Sequence, residues 1–584
     1  MTKEVRRRPV TATSNFSGKL HPVLARIFAS RQLTDEQQLE HSLQHLLPYR
    51  DLHGIDQAVD VLAAALSAGK RLLIVADFDA DGATSCAVAV RALRSMGAAD
   101  VRFIVPNRFE YGYGLTPEIV AVAARQQPDL IITVDNGISS IDGVRAAREH
   151  GIQVLITDHH LPGAELPEAD AIVNPNQPGD RFGSKHLAGV GVVFYLMLAL
   201  RARLRTTGWF TERHLAEPNL AQLLDLVALG TVADVAYLDY NNRILVAQGV
   251  ARIRRGVCTP GIAALLKFSG RSQERLVATD LGFVLGPRLN AAGRLDDMSL
   301  GIACLLEDDK EAAVALAQRL DELNRERRVI EQSMKEQALE TLDMNVLASA
   351  AGDNPLGICL FDERWHQGVI GILASRIKDH LHRPVIVFAV FNGTGIDSDE
   401  LKGSARSVPG LHIRDVLETI ANRQPGLILK YGGHAMAAGL SLRRGDLDAF
   451  RQAFLDELAR HLSSEDLRGV IYSDGELDAQ HLGLEMAEML RFAAPWGQGF
   501  PEPVFDGVFH VIERRTVGGR HLKLQVHLPD DPRCFDAIAF NTSDASWPKG
   551  ELMMHLAYRL DSNEFRGKTR AQLVVEHIRP VTDS

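Results

Sequence analysis

Three short apolar runs in the first third of the chain each end in acids or histidines. Arg71–Ala76 leads into Asp77-Phe-Asp-Ala-Asp-Gly82, Leu130–Val134 into Asp135-Asn-Gly137, and Ile152–Thr157 into Asp158-His-His160. Runs rich in Val, Ile and Leu that are separated by helical stretches pattern as buried strands of a parallel sheet. From about residue 55 to about 300 the two patterns alternate, which predicts a doubly wound α/β domain whose ligands collect at the carboxyl ends of its strands. Gly82–Leu93 reads as a helix starting at the acidic loop, and Val190–Leu200 as a buried helix too short to span a bilayer.

Further along the period changes. Residues 305–342 are charged, with Leu316, Leu320, Leu323, Ile330 and Met334 at three-to-four spacing, which predicts one long connecting helix with a single buried stripe. A second α/β block follows, with strands at Leu356–Phe361 and Pro384–Ala389 and helices at Val369–Arg376 and Ile413–Ile420. Alternating segments such as Leu522–His527 and Leu573–His577 predict a small terminal β-barrel. The expected divisions are an arm over 1–50 packing on the catalytic domain, that domain over 51–304, the connecting helix over 305–345, a second lobe over 346–462 and the barrel domain over 463–584.

Composition narrows the class. The 584 residues are 46% hydrophobic, enough for several cores without covalent staples. Five scattered cysteines with no CxxC pair argue against a zinc ribbon or a disulfide framework and fit a reducing cytoplasm. The basic start, Met1–Val10, runs into polar residues rather than an apolar stretch, so a secretory signal is not expected and a soluble protein is. A formal net charge of −10 counts weakly against a nucleic-acid partner, because acids gathered at a metal site are neutralised there. It favours a confined channel over a broad basic face.

The strand ends carry the chemistry. Five carboxylates and two imidazoles on one sheet edge repel unless cations sit among them, and divalent ions meet that need. Asp77, Asp79 and Asp81 alternate along a loop closed by Gly82; Asp135 ends the neighbouring strand; His159 offers nitrogen; Asp234 ends a helical segment. Such an oxygen-rich set suits Mn²⁺ or Mg²⁺ better than zinc. A calcium loop starting at Asp77 would need Glu at its twelfth position, where this chain has Val88. Alternation at the strand end keeps Asp158, His159 and His160 from all pointing the same way; we assign His159 to metal, Asp158 to orienting its neighbours, and His160 to the scissile phosphate or leaving oxygen. Arg108, flanked by Phe109, Tyr111 and Tyr113, mixes phosphate-binding and base-stacking groups in a glycine-punctuated loop. Arg288, Asn290 and Arg294 offer guanidinium forks and an amide. Ser404, Arg406, Gly433 and His434 combine polar groups with small, closely approachable backbone. Arg514, Arg515, Arg520 and Lys523 form a candidate basic hairpin.

Asp77–Gly82, Asp135–Gly137 and Asp158–His160 resemble the successive motifs of the DHH phosphoesterase superfamily. Gly230-Thr-Val-Ala-Asp-Val235, Arg288-Leu-Asn-Ala-Ala-Gly-Arg294, Ser404-Ala-Arg406 and Gly432-Gly-His434 then appear in the order seen in its RecJ branch of single-strand-specific DNA exonucleases. The resemblance implies a second lobe of the DHH-associated type that grips the terminal phosphate, and a C-terminal OB-type domain. It also implies a two-metal exonuclease degrading single-stranded DNA from the 5′ end to 5′-mononucleotides. By resemblance its work is recombination, repair and mismatch repair, with a single-strand-binding protein and a DNA helicase as partners. The rivals are a DHH phosphodiesterase for cyclic dinucleotides or very short oligonucleotides, and a DNA-binding scaffold that has lost catalysis. The barrel-forming tail argues against the first, and all six candidate ligands against the second.

Overall fold

The computed structural model describes residues 3–581 except 11–15, 17, 19, 107–113, 349–354, 392–398, 464–465, 520, 543–552 and 566. Strands are numbered in chain order from β1, Glu4–Arg7. The first large sheet comprises β2 (Arg71–Ala76), β3 (Asp100–Ile104), β4 (Leu130–Val134), β5 (Gln153–Thr157) and β6 (Ala171–Val173), all parallel, in the order β3-β2-β4-β5-β6. β2, β4 and β5 are buried on both faces, as their unbroken apolar runs require. Ala76 pairs with Val134 and Val134 with Thr157, so the acids that follow reach one edge in register. The ladder runs one residue into them: the amides of Asp77, Asp135 and Asp158 donate to Val134, Thr157 and Val173.

Around this sheet pack the helices Ala80–Ser95, Gly189–Thr206 and Leu224–Ala233, all largely buried. The expected connecting helix spans Lys310–Ala348. Ala313, Ala317, Leu320 and Leu323 join the catalytic core, whereas Met334 and Ala338 join the core of the second lobe, so one rod is anchored at both ends. That lobe contains β7 (Ile358–Phe361), β8 (Val385–Val390), β9 (Glu400–Arg406), β10 (Lys430–Gly433) and β11 (Ala437–Arg443), in the order β10-β11-β9-β8-β7. Only β7 and β8 are parallel, so the block is mixed rather than a second doubly wound sheet.

After β12 (Val470–Ser473) the chain forms a closed barrel of β13 (Phe505–Val517), β14 (His521–Leu528), β15 (Asp531–Ala539), β16 (Met553–Phe565) and β17 (Lys568–Pro580). The first 50 residues do more than the expected packing on the catalytic domain. β1 pairs with β12; Arg31 and Ser30 bind the buried Asp474; Phe28 stacks on Trp496 and Phe500. Gln37, Glu40 and His41 meanwhile accept hydrogen bonds from Tyr240 and Gln248 on the catalytic domain. The arm therefore ties the two ends of the chain together, an interaction that local periodicity does not encode. Among the described residues no helix is long and apolar enough to cross a membrane, and the five cysteines are free.

Candidate metal centre and strand cleft

The acidic loop is held by backbone. Asp79 caps helix Ala80–Ser95, its Oδ1 accepting from the amides of Asp81 and Gly82. Asp81 is buried, and both its oxygens accept from Gly189 and Val190, the amides that open helix Gly189–Thr206. Two helix N-termini thus face the acids, placing positive dipole ends against negative charge. Such close approach demands glycine: a Cβ at Gly189 would lie 2.7 Å from the Asp135 side chain, and one at Gly293 would lie 2.0 Å from the Phe78 carbonyl oxygen. Asp135 itself takes φ 63°, a left-handed conformation that Asp tolerates better than most residues with a side chain.

Ligand atoms converge in three overlapping groups, Asp77 with Asp79 and Asp135, Asp81 with His159 and Asp234, and Asp135 with His159 and His160, each within 4.8 Å. His159 Nε2 lies 3.1 Å from Asp135 Oδ1 and Nδ1 lies 4.0 Å from Asp234. The His159 Nε2 is buried and makes no hydrogen bond of acceptable geometry among the described residues. The electrostatics agree. Burial, then the negative neighbours, pushes Asp81 up to about 7 and Asp234 up to about 8, and holds Asp135 well above the carboxylate range. Burial and the charge of His160 keep His159 below its ordinary value and so neutral, the form that ligates. Buried, mutually repelling carboxylates beside a neutral imidazole are a donor set that fits divalent cations.

Asp158 and His160 work beside this set. Asp158 is buried; one oxygen accepts from the amides of His159 and His160 and contacts His160 Nδ1 at 2.7 Å, the other accepts from Ile138. Burial opposes charge on His160, but the hydrogen bond and charge of Asp158, with Asp234 and Asp77, prevail and hold it up at about 9. Three residues to which the sequence reading gave no role position this corner: Asn174 and Asn176 donate to the carbonyls of His160 and His159, and Asn136 donates to Val75 and Val134, tying two strand ends. Only the repeated asparagines of Asn174-Pro-Asn-Gln-Pro178 hinted at backbone capping.

The second lobe closes over this edge. His434 stacks on His160 at 5.7 Å and 21°. Its position follows from Gly433, at φ 138° and with no room for a Cβ beside Ala437 and Ala438. On β9, Arg406 donates through Nε to Ser375 and through Nη1 to Ser404. Gly371, in the first turn of helix Ile370–Leu381, lets that helix start approach β9 closely: a Cβ there would lie 2.9 Å from Arg406 Nη2 and 3.0 Å from Ser404 Oγ. A cavity of about 380 Å³ lies between the lobes, walled by Phe78, Pro106, Arg294, Met298, His366 and Gln367.

The Arg288–Arg294 motif is not the pair of open forks that the sequence suggests. Arg288 is buried, its Nε on Asp321 at 2.9 Å and Nη1 on the Val284 carbonyl, so it pins the long helix to the catalytic domain. Asn290 accepts from the Ala80 amide and so steadies the acidic loop. Arg294 donates to the Gly368 carbonyl across the lobe boundary. Arg108 and Tyr113, with Phe109 and Tyr111, lie outside the described residues. Of the barrel hairpin, Arg514 and Arg515 are exposed and Arg515 pairs across the strands with Lys523, while Arg520 lies outside the described residues.

Comparison with known proteins agrees with this layout. The model of the DHH family N-terminal domain matches residues 71–231, the DHHA1 domain 343–460 and the RecJ OB domain 473–577. Over 99% of both chains the sequence is 56% identical to a single-stranded-DNA-specific exonuclease RecJ of Dickeya dadantii, and 52% identical to that of Escherichia coli. A crystal structure of RecJ in complex with Mn²⁺ from Thermus thermophilus superposes with a TM-score of 0.78 at 30% identity, covering 97% of this chain and 77% of the other.

Proposed function

We propose, from the premise that this chain belongs to the RecJ family of DHH proteins, that it is a metal-dependent exonuclease specific for single-stranded DNA. The reading is carried by the convergence of Asp77, Asp79, Asp81, Asp135, His159 and Asp234 on one sheet edge, within 4.8 Å in overlapping groups. These six would hold two divalent ions, Mn²⁺ or Mg²⁺, which when bound supply charge to the phosphoryl oxygens and to the attacking water. Asp79 and Asp81 keep the loop rigid through their amide hydrogen bonds, so little reorganisation accompanies charge build-up at phosphorus. Asp158 orients His160 and favours its protonated form, which would place a proton or a positive charge at the leaving oxygen.

Across the cleft, the Ser404 hydroxyl and the Arg406 guanidinium lie against the helix start at Gly371, a grouping of donors that supports recognition of a terminal phosphate. His434 stacked on His160 would fix the distance from those donors to the scissile bond. Arg294, Gly433 and the interlobe cavity belong to the same cleft and would seat the terminal nucleotide; Arg108 and Tyr113 are assigned to the strand by sequence alone. A 5′ phosphate held there would give 5′→3′ polarity and release of 5′-mononucleotides. Recombination and repair in the cytoplasm, with a single-strand-binding protein and a helicase as partners, complete the proposal. End-labelled single strands, 5′-phosphorylated or 5′-hydroxyl, digested with Mn²⁺, Mg²⁺ or chelator, test it. Mononucleotides released from the 5′ end only with metal are expected; internal cuts or digestion from the 3′ end would refute it.

A further inference from the structure

The helical run that carries the Arg288–Arg294 motif starts irregularly. Ala278–Asp280 is α-helical, Leu281–Leu285 widens into a π-helical turn, and Gly286–Leu295 resumes the α form. Such widened turns occur disproportionately at functional sites. This one turns a single large side chain outward: Phe283 is 79% exposed, more than any other large apolar residue described. A solitary exposed apolar residue needs no explanation, so its surroundings decide the matter.

The turn sits against the metal centre. A Cβ at Gly282 would lie 3.2 Å from the Val232 oxygen and one at Gly286 would lie 3.0 Å from Ala233 Cβ, so it packs on the last turn of helix Leu224–Ala233, directly before Asp234. Beyond Asp234 the rim stays apolar and open. Val235 stands at φ 61° and is 62% exposed, a costly conformation for a β-branched residue, and Tyr237 is 46% exposed. The rim then meets the chain leading to the barrel, where the Leu238 amide donates to Gln498. On its other side lies positive charge. The Val284 carbonyl of the same turn accepts from Arg288, and Asp321 binds both Arg288 and the exposed Arg325. The exposed Arg328 is close enough for its charge to act on Arg288.

An outward aromatic ring on a turn that is linked through Arg288 and Asp321 to a helix with exposed arginines, and that packs next to a phosphodiesterase centre, is the composition that holds single strands: ring against base, guanidinium against phosphate. We propose that Phe283 is a base-stacking platform for a nucleotide of the strand outside the cleavage site, flanked by Arg325 and Arg328 on its backbone. This rests on the reading of the chain as a single-strand exonuclease. The strand is favoured over a protein occupant because the turn packs directly before Asp234 of the metal centre and the adjoining helix carries the exposed Arg325 and Arg328, Arg325 being shared with Asp321.

The test is an abasic walk on the full-length protein. A set of 5′-phosphorylated single strands, each lacking one base at a successive position, is titrated in metal-free buffer against wild type, Phe283→Ala and Phe283→Trp. Wild type is expected to lose about five-fold or more in affinity when one internal position is abasic, the range for one stacked base. Phe283→Ala should bind the intact strand that much more weakly and show no loss at that position, and Phe283→Trp should restore both. Superimposable profiles for wild type and Phe283→Ala, or a wild-type profile with no sensitive internal position, would overturn the platform. Wild type that neither binds nor degrades single strands would instead overturn the underlying function, so the two failures are distinguishable.

Discussion

Asp135 shows what a single residue contributes at this centre. It follows β4, takes a left-handed backbone conformation, and is surrounded by Asp77, Asp79, Asp81 and Asp234. Its folded-state pKa lies above the ordinary value, as do those of Asp81, at about 7, and Asp234, at about 8. In metal-free protein these groups stabilise the fold fully below about pH 4, where both states are protonated, and that contribution is lost as pH rises through the folded values. The melting temperature of chelated protein should therefore fall between about pH 5 and pH 8 and recover with Mn²⁺. Asp135→Asn should abolish turnover yet raise the metal-free melting temperature at pH 8; calorimetry with and without chelator checks both, and an unchanged or lower value would contradict the repulsion. Arg406 makes a separate prediction. Arg406→Ala removes one charge-assisted contact, worth roughly 1.5 to 3 kcal/mol, and should raise KM for 5′-phosphorylated strands about ten-fold to a hundred-fold. Equal KM values for wild type and variant would place the phosphate elsewhere.

Among the elements, the helix Gly286–Leu295 departs furthest from its sequence-based reading. Its arginines look like phosphate forks, but Arg288 faces the long helix and is paired in a buried site with Asp321. Periodicity located the long helix and marked its apolar stripe, whereas the helix that carries Arg288 was read only as a motif. Neither carried information on which polar residue of one would meet which polar residue of the other, because that pairing depends on their crossing in space. Arg288→Met removes one of the two arginine partners that Asp321 has among the described residues and leaves Arg325. It should cost about 1.5 to 3 kcal/mol in urea denaturation, the loss of one charge-assisted hydrogen bond in a buried site. A variant of wild-type stability with a large rise in KM would return Arg288 to the strand. The acidic loop was read only for its carboxylates, and the structure gives Asp79 a further task as the cap of helix Ala80–Ser95.

Over the whole molecule the barrel is not an appendage. Its interior residues and those of the catalytic sheet belong to one continuous apolar cluster, and the N-terminal arm is bound to both. Cutting the chain near residue 465 would therefore expose core as well as remove a binding surface. Surface reversal separates the two effects. Arg514→Glu with Arg515→Glu should weaken binding to long single strands and flatten its salt dependence while the melting temperature is kept, as expected for lost phosphate contacts. Unaltered affinity and salt slope would exclude this hairpin from the strand path. Deleting the first nine residues removes β1 and with it Arg7, which pairs with both Glu476 and Asp506. It should lower the melting temperature without changing the metal requirement.

The alternation of buried strands with helices, the acids and histidines that end those strands, the long helix and the terminal barrel were all written locally. Each depends on the spacing of apolar residues or on a short polar string at a strand end, and a parallel sheet brings such ends to one edge whatever lies elsewhere. Tertiary structure alone decided the rest. It stacked His434 on His160, turned Arg288 inward, joined the arm to β12, and used Asn136, Asn174 and Asn176 as backbone clamps. These are contacts between polar groups far apart in sequence. Their free energy depends on orientation and on burial by third parties, neither of which leaves a period in the chain.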